Sequence, residues 1–361
     1  MKILYFTTLL ALANAATLSS FKAPSFDITQ ETTFAKRDII SADFADPNLI
    51  YSIEVKVGSN KDPVRLQFDT GSFDAHVVDI DVLCNNQCQN LGTFDSNEST
   101  SLVRLNRNIT SNYGLSSVGE TVLAGELVKD DFTIGDITIK QFPFVDDNYI
   151  NGRLSGMLGM GHSQPKERNP VWSAYEQGLI PKPAYSFYLG DHSFPGKVYF
   201  GGYDKAKLDG EFSWHSINNT NIQGHSDYMV VEGHNITINK NYTVDTGGDG
   251  AYMPEAIYNQ LLTALPEESD YNKKYNYRNC SLYEGKTFEY SINGKLLTVP
   301  LKSFLFPDES GSTCFLGVSK GDYAQLGAMM FRYFHVAVDF EKELIGFGQL
   351  KNTTETNVVP F

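Results

Sequence analysis

Apolar and polar residues alternate along this chain in short runs, not in helical stripes. Val64-Arg65-Leu66-Gln67-Phe68 carries a period of two. The stretch from Leu49 through Ile53-Glu54-Val55-Lys56-Val57 to a Gly58-Ser59 turn does the same. A period of two marks a strand with one face turned to a core. Runs of Val, Ile, Tyr, Phe and Thr recur to the C-terminus between Gly, Asn and Asp, and long helical heptads are absent. Such enrichment with turn-forming punctuation predicts a mainly β protein. At 361 residues the chain is too long for one ordinary core and suits two lobes.

One apolar run is of another kind. Lys2 precedes Ile3 to Leu12, and Ala13-Asn14-Ala15 follows as a small-x-small cleavage pattern. This is the signature of a secretory signal peptide over residues 1–15, too short to span a bilayer. The polar stretch that follows ends in Lys36-Arg37, a dibasic processing site, so residues 16–37 read as a short propeptide and the mature chain begins at Asp38. The expected location is extracellular.

Secretion predicts disulfides, and the four cysteines, Cys84, Cys88, Cys280 and Cys314, allow three pairings, of which local pairing within each half is the simplest. There is no CxxC and no clustered His, so neither metal nor cofactor is expected. Glycosylation sequons begin at Asn97, Asn108, Asn218, Asn235, Asn279 and Asn352. Asn241 also begins one, but its closeness to Asp245 suggests burial. Residues 352–361 carry no hydrophobic tail, which argues against a lipid anchor. The net charge of −14 disfavours nucleic acid or an anionic membrane as partner. It suits work in acid, where protonation relieves self-repulsion, and it equally suits simple solubility.

The chemistry enters with Asp-Thr-Gly, which occurs at Asp69-Thr70-Gly71 and again at Asp245-Thr246-Gly247, each time after a strand-like stretch. Such a pattern sets a carboxylate at a strand end and turns the chain on glycine. Two copies from two halves suggest an internal duplication with a shared site. Two carboxylates that meet cannot easily both ionise, so one proton is shared and the pair serves as base and acid together.

At this point the chain resembles the pepsin-like aspartic endopeptidases, the secreted fungal, candidapepsin-like members most of all; their dyad is an established case of a shared proton. The resemblance runs from about Asp38 to Gly348. Gly156-Met157-Leu158-Gly159-Met160-Gly161 is similar to the segment threading under the first active-site loop, and Ala324-Gln325-Leu326-Gly327-Ala328 to its partner. Pro170-Val171-Trp172, Gln177 to Ile180 and Tyr185 to Leu189 match a helix-and-strand section. Gly196 to Gly202 looks like the strand leading into the second lobe, and His335 to Phe340 with Ile345 to Gly348 like the closing hairpin.

The resemblance implies two β lobes, residues 38–200 and 201–361, around a central cleft with pseudo-twofold symmetry. It implies a monomer that hydrolyses extended peptides with a water activated by Asp69 and Asp245. Thr70 and Thr246 would interlock across the axis, Gly71 and Gly247 would let backbone approach the carboxylates, and the disulfides would be Cys84–Cys88 and Cys280–Cys314.

Three departures stand out. The family has a Ser or Thr after the Gly whose hydroxyl bonds the carboxylate; Ser72 keeps it, and Gly248 cannot supply it. The flap hairpin reads in two registers, one setting Tyr113-Gly114 near its tip, the other setting Val118-Gly119 there; an insertion at the tip reconciles them with Tyr113 as the flap tyrosine. His76 stands where the family has a tryptophan that bonds that tyrosine, and either replaces the donor or merely packs. Asp249 falls near the cleft, where it would favour basic or polar substrate residues or serve as a turn residue. The alternative function is a catalytically impaired, pepsin-shaped secreted binder of peptides or proteins.

Overall fold

The computed structural model describes residues 38–361 apart from 46–50, 86–90, 117–118, 153–155, 163–164, 192–193, 218–221, 267–276 and 309–310. The signal peptide, the propeptide and Lys36-Arg37 lie outside the described residues, as do Cys88, Val118 and Asn218.

The alternating runs are strands. Ser52–Val57 and Asp62–Asp69 pair antiparallel in register Val55↔Val64, and Val55, Val57, Val64, Leu66 and Phe68 are buried. They belong to a seven-stranded sheet that continues through Gly156–Gly159, Ala75–Asn85, Ile137–Asn151, Gly119–Ile134 and Val103–Ser116. A second seven-stranded sheet is built from the C-terminal half: Lys295–Pro300, Thr287–Ile292, Gln223–Val231, His234–Asp245, Gln325–Gly327, Ala251–Met253 and Val318–Lys320.

The two sheets repeat one device. Asp62–Asp69 runs parallel to Gly156–Gly159 and ends with Asp69 opposite Gly159. His234–Asp245 runs parallel to Gln325–Gly327 and ends with Asp245 opposite Gly327. A six-stranded sheet joins the halves, with Ile40–Asp43, Phe194–Phe200 and Ala184–Asp191 from one and Phe334–Asp339, Leu344–Leu350 and Leu208–Ser216 from the other. Its central strand, Phe334–Asp339, is buried throughout. Phe68, Phe187, Phe331 and Phe334 lie in one apolar cluster that runs through both halves. This is the two-lobed, mainly β architecture that the sequence implies.

The helix-and-strand section also forms. Pro170–Glu176 is a helix with Pro at its first turn, capped by Asn169, whose side chain accepts from Val171 N and Trp172 N. Both features suit an N-terminus, where backbone donors lack partners of their own. Cys280 and Cys314 are bonded, with Cα atoms 5.2 Å apart. Cys84 is also disulfide-bonded. Asn97, Asn108, Asn235, Asn279 and Asn352 are exposed. Asn241 is exposed too, against the expectation of burial, because it faces outward from its strand and pairs with His225 Nδ1 at 2.8 Å. Among the described residues no helix is long and apolar enough to cross a membrane.

A buried carboxyl pair sits in the first sheet. Val77 lies beside Asp146 in a parallel register, so Asp79, two residues on, shares its face. Burial first, and then the charge of Asp79, raise Asp146 to about 7, while Arg104 pulls it down. Ser96 donates to Asp79 Oδ2 at 2.8 Å, and Arg104 Nη1 is 3.7 Å from Asp146 Oδ2. A folded-state pKa above the unfolded value means that the folded chain holds the extra proton. Stability from this group is therefore full in acid and falls as pH rises from about 4 to about 7. Asp146→Asn is expected to flatten that slope and raise the melting temperature at neutral pH. Melting curves across this range check it, and parallel slopes in both proteins would exclude the pair as the cause.

Candidate active site

Each Asp-Thr-Gly turn leaves the end of a strand that buries one face. The Thr70 and Thr246 hydroxyls cross between the halves: Thr70 Oγ1 donates to Val244 O at 2.7 Å, and Thr246 Oγ1 donates to Phe68 O at 2.6 Å. Each oxygen also accepts the other threonine's backbone N–H at 3.1 Å. Both threonines are enclosed, so every one of these bonds is made away from water, where an orphaned group costs most. Gln67 adds a further tie, its Nε2 donating to Gly247 O at 2.9 Å. Although it lies between the apolar Leu66 and Phe68, Gln67 is 3 % exposed, and its amide has this partner across the axis. Its place two residues before the aspartate was the one signal available.

This lattice brings the two carboxyls together. Asp69 Oδ1 accepts from Gly71 N at 2.8 Å, and Asp245 Oδ1 accepts from Gly247 N at 2.9 Å and from Gly248 N at 3.2 Å. Burial pushes Asp245 well above the ordinary carboxylate range; the charge of Asp69 and a hydrogen bond between the two side chains push the same way, against the two backbone donors.

Among the described residues neither carboxyl receives a side-chain hydroxyl. Gly248 has none, and Ser72, expected on Asp69, donates instead to Met157 Sδ at 3.1 Å. Its side chain is buried. The space beside Gly248 is filled from elsewhere: a Cβ there would lie 2.7 Å from Gln325 Nε2 and 3.4 Å from Asp245 Oδ2. Gly248→Thr alone is therefore expected to lower activity by crowding Gln325. With Gln325→Ala added, the new hydroxyl reaches Asp245, favours its charged form and moves the alkaline limb of the pH–rate profile down. Rate profiles of the single and double variants check this, and an unmoved limb in the folded double variant would refute it.

The hairpin of Val103–Ser116 and Gly119–Ile134 carries Tyr113 opposite Thr121, with a register shift at Gly114. Tyr113 packs beside the Val78, Leu123, Ile150 and Met157 cluster. Its phenol is raised first by burial and next by the charge of Asp69, which sets Tyr113 toward the carboxyl pair. His76 is fully enclosed, with Nδ1 2.9 Å from Asp147 Oδ1 and Nε2 2.9 Å from Ser111 Oγ. No contact joins it to Tyr113 by hydrogen bond; the rings meet edge-on with centroids 6.1 Å apart. Neither Asp147 nor Ser111 was anticipated, although an acidic pair inside the apolar run Phe142 to Ile150 was a visible anomaly.

Asp249 is open to solvent at its edge, yet the surrounding protein withdraws enough water to raise it to about 6, with Arg332 pulling it down. Tyr323, whose ring is tilted against Tyr252 with centroids 5.1 Å apart, also feels the charge of Asp245.

The family model described as "Eukaryotic aspartyl protease" matches residues 50–350. The chain belongs to that family. Among its relatives, candidapepsin of Candida tropicalis is 27 % identical over 349 residues, covering 92 % of this chain and 87 % of the relative. Secreted aspartic protease 3 of Candida albicans is 28 % identical over 344 residues, covering 90 % and 85 %. Secreted aspartic protease 8 of Candida albicans is 27 % identical over 340 residues, covering 90 % and 81 %. Membership in the aspartyl proteases supplies hydrolase activity at the level of the family, and the matched span contains both Asp-Thr-Gly turns.

Proposed function

We propose that this chain is a secreted aspartic endopeptidase, active in acid, in which Asp69 and Asp245 share one proton and activate a water. The observation that carries the reading is the carboxyl pair itself: two aspartates held by reciprocal threonine bonds, with Asp245 raised by burial and by Asp69. The environment favours Asp245 as holder of the shared proton. Ionised Asp69 then takes a proton from the water, while the Asp245 carboxyl donates to the scissile carbonyl and stabilises the tetrahedral diol. As pH rises and the shared proton leaves, turnover falls. Extended peptides are the substrates, covered by the flap hairpin with Tyr113 and Gly114. Asp249 selects basic or polar side chains. Lys36-Arg37 is the processing site, and the exposed sequons are glycosylated.

The test is cleavage of an internally quenched peptide library by the chain beginning at Asp38, from strong acid to neutral pH, with a statine-containing peptide as a mimic of the diol. Cleavage in acid blocked by the mimic supports the proposal. Binding of the mimic without cleavage would favour the binder, a reading that draws on the lack of a side-chain hydroxyl at either carboxyl.

A further inference from the structure

A cavity of about 310 Å³ opens where the six-stranded sheet meets the C-terminal seven-stranded sheet. The six-stranded sheet gives it Phe194, Gln349 and Leu350, and the C-terminal sheet gives it Thr287, Thr298 and Pro300. Gln349 ties the two sheets at the cavity wall: its side chain accepts from Thr298 N at 2.8 Å and donates to Thr298 O at 3.2 Å. Thr287 pairs with Pro300, and Thr298 lies two residues before Pro300, so all three share one face. Phe194, Pro300, Leu350 and Tyr333 are half-buried and form apolar walls. Thr287 and Thr298 are exposed, and their hydroxyls have no partner among the described residues. Arg332 adds a guanidinium, held in place where its Nε donates to the Tyr51 phenol oxygen at 2.6 Å. Asn352 belongs to the same lining. It is exposed, it follows the end of strand Leu344–Leu350 by two residues, and it begins the sequon Asn352-Thr353-Thr354.

We infer that the carbohydrate attached at Asn352 beds in this cavity, its first N-acetylglucosamine units bridging the six-stranded sheet and the C-terminal sheet. The inference rests on the secretory reading, under which exposed sequons carry glycan. A pyranose ring has C–H faces and a girdle of polar groups, so it suits apolar walls with a few polar groups at the rim. A volume of about 310 Å³ is at the small end for ligand sites and suits one or two rings, not a whole branched chain. The acetamido group of the sugar brings one N–H donor and one carbonyl acceptor. The Thr287 and Thr298 hydroxyls both give and accept, and the Arg332 guanidinium gives.

The tether selects this occupant over others. A free saccharide or a peptide must be captured from solution, whereas a glycan on Asn352 is held at about millimolar effective concentration, where weak contacts suffice. The exposed sequon asparagine Asn235 also borders a cavity, but Ile236 is the one apolar side chain lining it, so that cavity lacks such walls. A sugar bridge at Asn352 forms only on the folded chain and therefore stabilises the junction of the two sheets.

The experiment secretes the full chain from a host that attaches N-glycans and treats the folded product with an endoglycosidase that cuts between the two core N-acetylglucosamines. Peptide masses read the release site by site. Release at Asn352 is expected to be about tenfold slower than at the exposed Asn97 and Asn108, because its core is reached only after local opening. Unfolding should erase the difference. So should Thr298→Trp, which fills the cavity and leaves the backbone bonds to Gln349 in place. Thr287→Trp is a second blocking variant should the first not fold. Thr354→Ala removes the sequon from outside the lining; it is expected to lower the melting temperature by about 2–4 °C, and to have no further effect in Thr298→Trp. Thr354→Ser keeps both the glycan and the melting temperature. Equal release at the three sites of the folded protein, protection that survives both blocking variants, or a Thr354→Ala protein that melts with the wild type overturns the inference and leaves glycosylation standing. A bare Asn352 overturns it as well, and bare asparagines at every exposed sequon overturn the secretory reading with it.

Discussion

Asp69→Asn and Asp245→Asn are each expected to lower kcat by about a thousandfold or more, because each removes a proton-transfer group from the step that needs both. Asparagine keeps the size of the side chain and an oxygen for the backbone donors at Gly71 and Gly247. The bonds that join the halves run through Thr70, Thr246 and Gln67, not through the carboxylates, so the fold is expected to persist. Turnover and melting temperature of the purified variants decide the matter. Residual activity above a few per cent of wild type in a folded variant would remove that aspartate from the mechanism.

The second large effect is expected at the glycines. A Cβ on Gly71 would lie 2.6 Å from Asp245 Oδ1 and 2.7 Å from its Cγ, and one on Gly247 would lie 2.5 Å from Asp69 Cγ. Each turn thus leaves room for the other half's carboxyl. Neither glycine is among the positive-φ residues, so the requirement is one of space, not of backbone conformation. Gly71→Ala or Gly247→Ala must displace the facing carboxyl, and a shift of about 1 Å in a reacting group costs on the order of a hundredfold in rate. Both variants are expected to show that loss chiefly in kcat, with a statine peptide bound more weakly. Wild-type kcat in either would mean that the glycine serves only to turn the chain.

The paired motif was legible because strand alternation and the Asp-Thr-Gly turn are local. Asp62–Asp69 and His234–Asp245 end where the pattern ends, on the aspartates. The glycine-rich strands beneath them could be named only by resemblance, since parallel pairing leaves no local mark. Side-chain direction was not legible. Ser72 turns to Met157, Gln325 fills the gap at Gly248, and Asp147 meets His76 across 71 positions of chain. The helix Glu255–Ala264 went unremarked in a chain read as strands, although Ile257, Leu261 and Ala264 bury one face at helical spacing. Of the two flap registers, one sets Tyr113 where it feels the Asp69 charge, and the Val118 of the other lies outside the described residues.

The threonine bonds that hold the carboxyl pair join residues 174 to 178 positions apart. Chains emerge N-terminus first, and contacts of such separation form late because a long loop must close before they do. The first aspartate is therefore made, and its strand folded, while its counterpart has yet to be translated. A partly synthesised or half-folded chain holds a single carboxylate that can ionise freely and cleave nothing. On the proposed mechanism, hydrolytic power arrives in one step, when the Asp69 and Asp245 turns meet. On that mechanism the connectivity itself delays activity until both halves have folded.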